Sequence, residues 1–253
     1  MAPLLALRNV SKTFTRGLRS TVVLDDVSLD VRRGDFVGVL AGRRQGKSTL
    51  LEIAVGMLLP DSGDVVIDGV AVNMMTKRDR DRLRRSGIGF VRGRAAAAVQ
   101  TGRVLDHVAL PLLSDGATLR QARRAAAETL ARVGAADYAY ADLRHLSESE
   151  QLRVALAQAY ARSPRLLVVD ELTDTLDLEE RNTILGLLQR FAQDDEVGVL
   201  ITASDPNGTA GCNRVVYLSA GRLRDPERDL AQRLDSPPGD VVPLRRDDDA
   251  GTA

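Results

Sequence analysis

Apolar and polar positions change rhythm several times along the chain, and each change marks an element. Residues 4–14 read as an opening strand. Over 22–31 Val22, Leu24, Val27, Leu29 and Val31 alternate with polar neighbours, which predicts a half-buried strand. Arg33-Gly34-Asp35 is a turn, and Phe36-Val37-Gly38-Val39-Leu40 is a short unbroken apolar run, the pattern of a strand covered on both faces. A glycine-containing loop leads into good helix formers from Ser48 to Ala54. Pro60-Asp61-Ser62-Gly63-Asp64 predicts another turn, followed by a strand at Val65-Val66-Ile67 that ends at Asp68-Gly69. Over 94–144 the chain is rich in Ala, Leu and Arg without β-branched runs, and 119–133 carries the period of an amphipathic helix. This stretch reads as a helical insertion. Buried-strand runs return at 166–170, 197–202 and 215–218. After Arg228 the patterning stops, and Ser236-Pro237-Pro238-Gly239 with Arg245-Arg246-Asp247-Asp248-Asp249 predicts a disordered tail over 229–253. Strands alternating with helices predict an α/β fold. No internal repeat is visible.

Composition narrows the class. The chain has 253 residues, 44% hydrophobic and 28% charged, with 35 basic and 35 acidic residues that cancel to zero net charge. That balance is globular, long enough for a substantial core, and unlike a general nucleic-acid binder, which is usually basic. No uncharged run exceeds eight residues, far short of the ~18–20 needed to span a bilayer. The start, MAPLLALRNV, lacks the basic and long apolar regions of a signal peptide, so none is expected. Cys212 is the single cysteine, which leaves neither an internal disulfide nor a cysteine-rich metal site. Three lysines stand against 32 arginines, a bias that carries no functional weight.

Against that sparse lysine background, one lysine stands in a chemical motif. Ala41-Gly42-Arg43-Arg44-Gln45-Gly46-Lys47-Ser48-Thr49 lies between a buried strand and a helix, the context of a loop whose backbone N–H groups cradle phosphates. Lys47 would reach the β- and γ-phosphates and the Ser48 hydroxyl would sit on Mg²⁺. The motif asks for glycine where Ala41 stands, and Arg44 fills a position often glycine. A Cβ at a left-handed position costs roughly 1–2 kcal/mol, so a strained or reshaped loop is expected. The bland alternative is a turn that merely opens a helix. A second signal weighs against it: the apolar run Leu166-Leu167-Val168-Val169 ends in the adjacent carboxylates Asp170 and Glu171. Neighbouring strand residues point in different directions, so one carboxylate can hold Mg²⁺ while the other polarises a water for in-line attack. By itself an acidic strand end is common.

Taken together, residues 4–224 resemble the nucleotide-binding subunit of ATP-binding cassette (ABC) transporters. The resemblance rests on Leu7-Arg8-Asn9-Val10-Ser11-Lys12-Thr13-Phe14, on Leu24-Asp25-Asp26-Val27-Ser28-Leu29, on the stretch 56–69, on Arg153-Val154-Ala155-Leu156-Ala157 and on 170–177. Val104-Leu105-Asp106-His107-Val108-Ala109-Leu110-Pro111-Leu112 is similar to the lipoprotein- and macrolide-export branch. The resemblance implies a P-loop cassette with a mixed-sheet core, an N-terminal antiparallel part and a helical subdomain over about 94–160, all within 1–228. It implies ATP and Mg²⁺ as ligands. Phe14 would stack on adenine, with Gly42, Arg43, Arg44, Gln45, Gly46, Lys47, Ser48 and Thr49 around the phosphates. Ser48 and Asp170 would take the metal, Glu171 would be the catalytic base, and Asp177 belongs to the same site. The implied partners are separate transmembrane permease subunits and a second cassette, identical or different, at the inner face of the cell membrane. No nucleic acid is expected.

Three departures qualify the resemblance. The family's LSGGQ signature reads Leu146-Ser147-Glu148-Ser149-Glu150, which brings the Glu148 carboxylate toward the γ-phosphate of a partner cassette. The same residues also fit a capping box, S-x-x-E, that starts a helix. The expected Q-loop glutamine is Gly93, and the expected switch histidine is Ser204, which carries no titratable charge near neutral pH. His107 and His145 lie elsewhere and read as surface or packing residues. Hydrolysis is therefore expected to be slow or partner-dependent, and pairing with a different cassette is favoured. The alternatives are a regulatory or scaffolding module that binds nucleotide without turnover, and a soluble non-transport ATPase.

Overall fold

The computed structural model describes residues 2–92, 102–171 and 176–226. In chain order the strands are β1 (Leu5–Arg16), β2 (Arg19–Val31), β3 (Phe36–Leu40), β4 (Ser62–Ile67), β5 (Val70–Ala71), β6 (Ile88–Arg92), β7 (Leu166–Asp170), β8 (Gly198–Ala203), β9 (Arg214–Ser219) and β10 (Arg222–Arg224). The helices are α1 (Lys47–Ala54), α2 (Lys77–Gly87), α3 (Val104–Ser114), α4 (Leu119–Arg132), α5 (Glu148–Tyr160) and α6 (Leu178–Gln193). The expected tail at 229–253 and the first residues of the helical insertion lie outside the described residues.

Two sheets organise these elements. One is antiparallel, in the order β2-β1-β4-β5; the other runs β10-β9-β3-β8-β7-β6. In the second, β3, β6, β7, β8 and β9 pair in parallel and only β10 is antiparallel, so the sheet is mixed. Its strands read as continuous apolar runs because both faces are covered. Alternation along β7 divides the core: Leu166 and Val168 face α1 and the antiparallel sheet, whereas Leu167 and Val169 face α5 and α6. β8 divides likewise, Leu200 to the first side, Val199 and Ile201 to the second.

Element boundaries shift from the pattern where turns are tighter than the residues announce. The expected turn at Ser62-Gly63-Asp64 is instead the start of β4. Asn9 bulges out of β1 at φ 50°, and the Gly63 backbone at φ 84° passes so close that a Cβ there would sit 2.3 Å from the Asn9 carbonyl oxygen. Asp61 anchors this corner by accepting from Lys12 Nζ at 2.6 Å and from the Thr13 N–H at 2.7 Å. The hydrogen bond from Lys12 holds the exposed Asp61 carboxyl below its ordinary range.

The helical insertion forms as its period requires. α4 opens with a capping box, Thr118 with Gln121, and buries Ala122, Ala126 and Leu130 against the core shared with α3 and α5. A polar cluster ties it to α6: Arg132 pairs with Asp195 and lies over the Tyr160 ring, which stacks on Phe191 at 4.1 Å. Tyr160 also donates to Asp195 at 2.6 Å. Pro111 is tolerated inside α3, near its C-terminal end.

Candidate functional site

β3 ends at Leu40, the chain turns through 41–46, and α1 begins at Lys47. Gly46 takes φ 95° at the helix start, and a Cβ there would meet the Val23 carbonyl oxygen at 2.9 Å, so only glycine fits this corner. Arg44, as the sequence leads one to expect, adopts a left-handed φ of 61° despite its side chain. Ala41 needs no such conformation: it is buried, and its N–H donates to the Ala203 carbonyl at 3.1 Å. Gln45 pins the loop from outside by accepting the Ala220 N–H at 2.9 Å. Gly42, Arg43 and Arg44 are exposed on the loop, Ser48 is exposed in the first turn of α1, and Thr49 is half-buried.

Lys47 points inward. It is only 4% exposed, and its ammonium donates to the carbonyls of Ala41 at 2.5 Å and Gly42 at 2.9 Å and to Ser204 Oγ at 2.8 Å. It also pairs with Glu171 Oε1 at 2.8 Å. Ser204 Oγ in turn donates to the same Glu171 oxygen at 3.2 Å. Residues from three distant parts of the chain thus converge on one buried cation. Partial burial pushes the Glu171 carboxyl up, but the Lys47 hydrogen bond and charge, the Ser204 hydroxyl and the charge of Arg43 outweigh it and hold the group below its ordinary range.

The carboxylates stand where β7 stops. Asp170 ends the strand and Glu171 turns away from it with a left-handed φ of 46°. Asp170 continues the Leu166–Val168 row and so shares the face covered by α1, which packs on β7. Thr202 of β8 reaches both residues: its Oγ1 donates to Asp170 Oδ1 at 2.8 Å and accepts the Glu171 N–H at 3.1 Å. Thr202 was not singled out by the sequence pattern. The available signal was a hydroxyl two residues before Ser204, at the end of an apolar strand.

The remaining expected residues stand on other elements. Phe14, 45% exposed, stands opposite Thr21 on β2, two residues from Val23 at the Gly46 corner. Lys12 Nζ lies 5.7 Å from its ring centroid. Asp177 caps α6 by accepting the Glu180 N–H at 2.8 Å. Gly93 and 172–175 lie outside the described residues. At the start of α5, Ser147 and Glu150 form the reciprocal capping box, Ser147 N–H donating to Glu150 at 2.8 Å and Glu150 N–H to Ser147 Oγ at 3.3 Å. Glu148 takes no part in it and is exposed. His107 is half-buried on α3, its imidazole pushed down by burial, and neither it nor His145 bonds to Lys47 or Glu171.

The donor chemistry suits a phosphate with a hard cation. A helix start, a lysine and exposed loop backbone favour an anion. Among the described residues no group of three or more His, Cys, Asp or Glu is placed to cage a metal. A carboxylate and a hydroxyl completed by phosphate oxygens and water is the usual environment of Mg²⁺. No described helix is long and apolar enough to cross a membrane.

Comparison with known proteins identifies the family and the fold. The family described as ABC transporter matches residues 24–174. An uncharacterised ABC transporter ATP-binding protein of Mycobacterium tuberculosis (strain H37Rv) is 36% identical over 221 residues, covering 87% of this chain and 89% of that protein. The lipoprotein-releasing system ATP-binding protein LolD of Hyphomonas neptunium is 31% identical over 225 residues, covering 89% and 98%. Among solved structures, the ATP-binding cassette MJ0796, dimeric in a post-hydrolysis state with ADP and Pi, superposes with a TM-score of 0.80 at 28% identity, covering 87% of this chain and 98% of that one.

Proposed function

The chain belongs to the ABC transporter family as one of its ATP-binding, ATP-hydrolysing subunits, and from that premise we propose that its reaction centre is built on Lys47, Ser48, Asp170 and Glu171. The observation that carries this reading is the convergence of the Lys47 ammonium, the Glu171 carboxylate and Ser204 behind an anion-binding loop.

The resting network defines what the residues do on binding. Lys47 is charged and buried, so it always needs an anion beside it. A nucleotide's terminal phosphates carry more charge than one carboxylate, so Lys47 exchanges Glu171 for them. That exchange frees the Glu171 carboxylate to accept a hydrogen bond from a water and orient it for attack. Ser48 and Asp170 are the residues that would hold Mg²⁺, which supplies neutralisation of charge on the transferring phosphoryl group. Phe14 offers an exposed ring for the adenine to stack on. The loop residues Gly42 to Gly46, with Thr49 at the helix start, supply backbone N–H groups to the phosphates.

Transport needs a path across the membrane, and no described helix is long and apolar enough to provide one. We assign it a place at the inner face of the membrane, against separate permease subunits and beside a second cassette. Glu148 at the start of α5 supports slow or partner-dependent turnover, because a carboxylate there opposes the approach of another chain's bound phosphates. Purified protein should hydrolyse ATP, alone or with its partners, and Glu171→Gln should lower that turnover by ~10²-fold or more while sparing ATP binding. Unchanged turnover in the variant would remove Glu171 from the role of base.

A further inference from the structure

β8 ends at Ala203, with the Thr202 hydroxyl on one face just inside the strand and Ser204 one residue beyond it. That face is the one on which Leu200 packs toward α1 and on which Asp170 stands. Ser204 occupies an expected motif position; Thr202 does not. Thr202 is nonetheless 2% exposed, a polar side chain at the end of an apolar strand, and its single hydroxyl works in both directions. As a donor it meets Asp170 Oδ1 at 2.8 Å, and as an acceptor it takes the Glu171 N–H at 3.1 Å.

We propose that Thr202 is a positioning residue that fixes the Asp170 carboxylate and the Glu171 backbone relative to each other. The inference rests on the reading of Asp170 as a metal-holding residue and Glu171 as the base. The two residues have different needs that one hydroxyl meets. Asp170 ends the strand half-buried, and a carboxylate that is to hold a cation with one oxygen gains from having the other oxygen hydrogen-bonded. Glu171 sits at φ 46°, a conformation disfavoured for a residue with a Cβ. Its N–H would otherwise be a donor left over at the strand end. Thr202 accepts that N–H and so holds the left-handed corner from which the Glu171 side chain departs toward Lys47. Valine has the same shape as threonine and would keep the packing, but it would leave the Glu171 N–H and the Asp170 oxygen without this partner.

The test is a magnesium titration of nucleotide binding, read with a fluorescent ATP analogue on wild type, Thr202→Val and Thr202→Ser. Thr202→Val should raise the Mg²⁺ concentration at half-maximal binding by about tenfold or more. Thr202→Ser, which keeps the hydroxyl, should stay near wild type, and analogue binding without metal should be alike in all three because the Lys47 loop is untouched. If Thr202→Val does not fold, Thr202→Ala and Thr202→Ser replace the comparison, since both lose the methyl and only one keeps the hydroxyl. A wild-type midpoint in the variant without the hydroxyl overturns the proposal. Equal losses in the serine and hydroxyl-free variants also overturn it, because they assign the effect to packing. A wild-type protein whose analogue binding ignores Mg²⁺ overturns the underlying reading of Asp170, and this inference with it.

Discussion

At the end of the parallel sheet, Ser204 stands where the family pattern has histidine, and it is drawn into a partly buried network with Lys47 and Glu171. At the start of α5, Glu148 stands where the pattern has glycine, and it extends into solvent while Ser147 and Glu150 cap the helix beside it. The difference lies in what surrounds each position. Ser204 follows directly on β8 and is half-buried between the Lys47 ammonium and the Glu171 carboxylate, so a changed side chain there must bond to the groups already aimed at it. The α5 start is open on one side, so the helix repairs itself locally and the changed side chain acts only on what approaches from outside. On the proposed reading, substitution at the first place alters chemistry and substitution at the second alters partnership.

That contrast can be sharpened from the α5 side. In a Glu171→Gln background, adding Glu148→Gly should strengthen ATP-dependent self-association by about tenfold or more, since removing a carboxylate near a phosphate relieves repulsion at an effective dielectric near ~20. Sedimentation with ATP reads the change, and equal dimer affinities would mean that Glu148 points away from the facing site. A smaller effect is expected from Ser147→Ala, which removes one half of the capping box. It should cost ~1 kcal/mol of stability, measurable by denaturant unfolding, while leaving ATP binding by the isolated chain intact. If Ser147→Ala weakened ATP binding instead, the two regions would not be separable as described.

Much of this was legible in the residues. The apolar run at 36–40 followed by Gly46-Lys47-Ser48-Thr49 specified strand, loop and helix, and the left-handed Arg44 followed from a side chain in a glycine position. Ser147-Glu148-Ser149-Glu150 announced its capping box because that motif is local. What stayed hidden depends on contacts between distant segments. Lys47 bonding to Glu171 and Ser204 needs β3, β7 and β8 to lie side by side, which no spacing along the chain states. Thr202 was hidden for another reason: within an apolar strand a threonine reads as a β-branched filler, and only its neighbour's backbone N–H reveals the hydroxyl's use. Asp177 shows another case: the resemblance implies a place in the nucleotide site, and the structure uses its carboxylate as the cap of α6.

The separation of a phosphate-holding end from a partner-facing end is tested most directly by ATP affinity in the isolated chain, measured on wild type, Lys47→Ala and Glu148→Gly under identical Mg²⁺. Lys47→Ala should weaken binding by about tenfold or more, as expected for loss of a charge-assisted contact to phosphate, and Glu148→Gly should leave it at the wild-type value. Equal affinities for wild type and Lys47→Ala, or a loss confined to Glu148→Gly, would contradict the account.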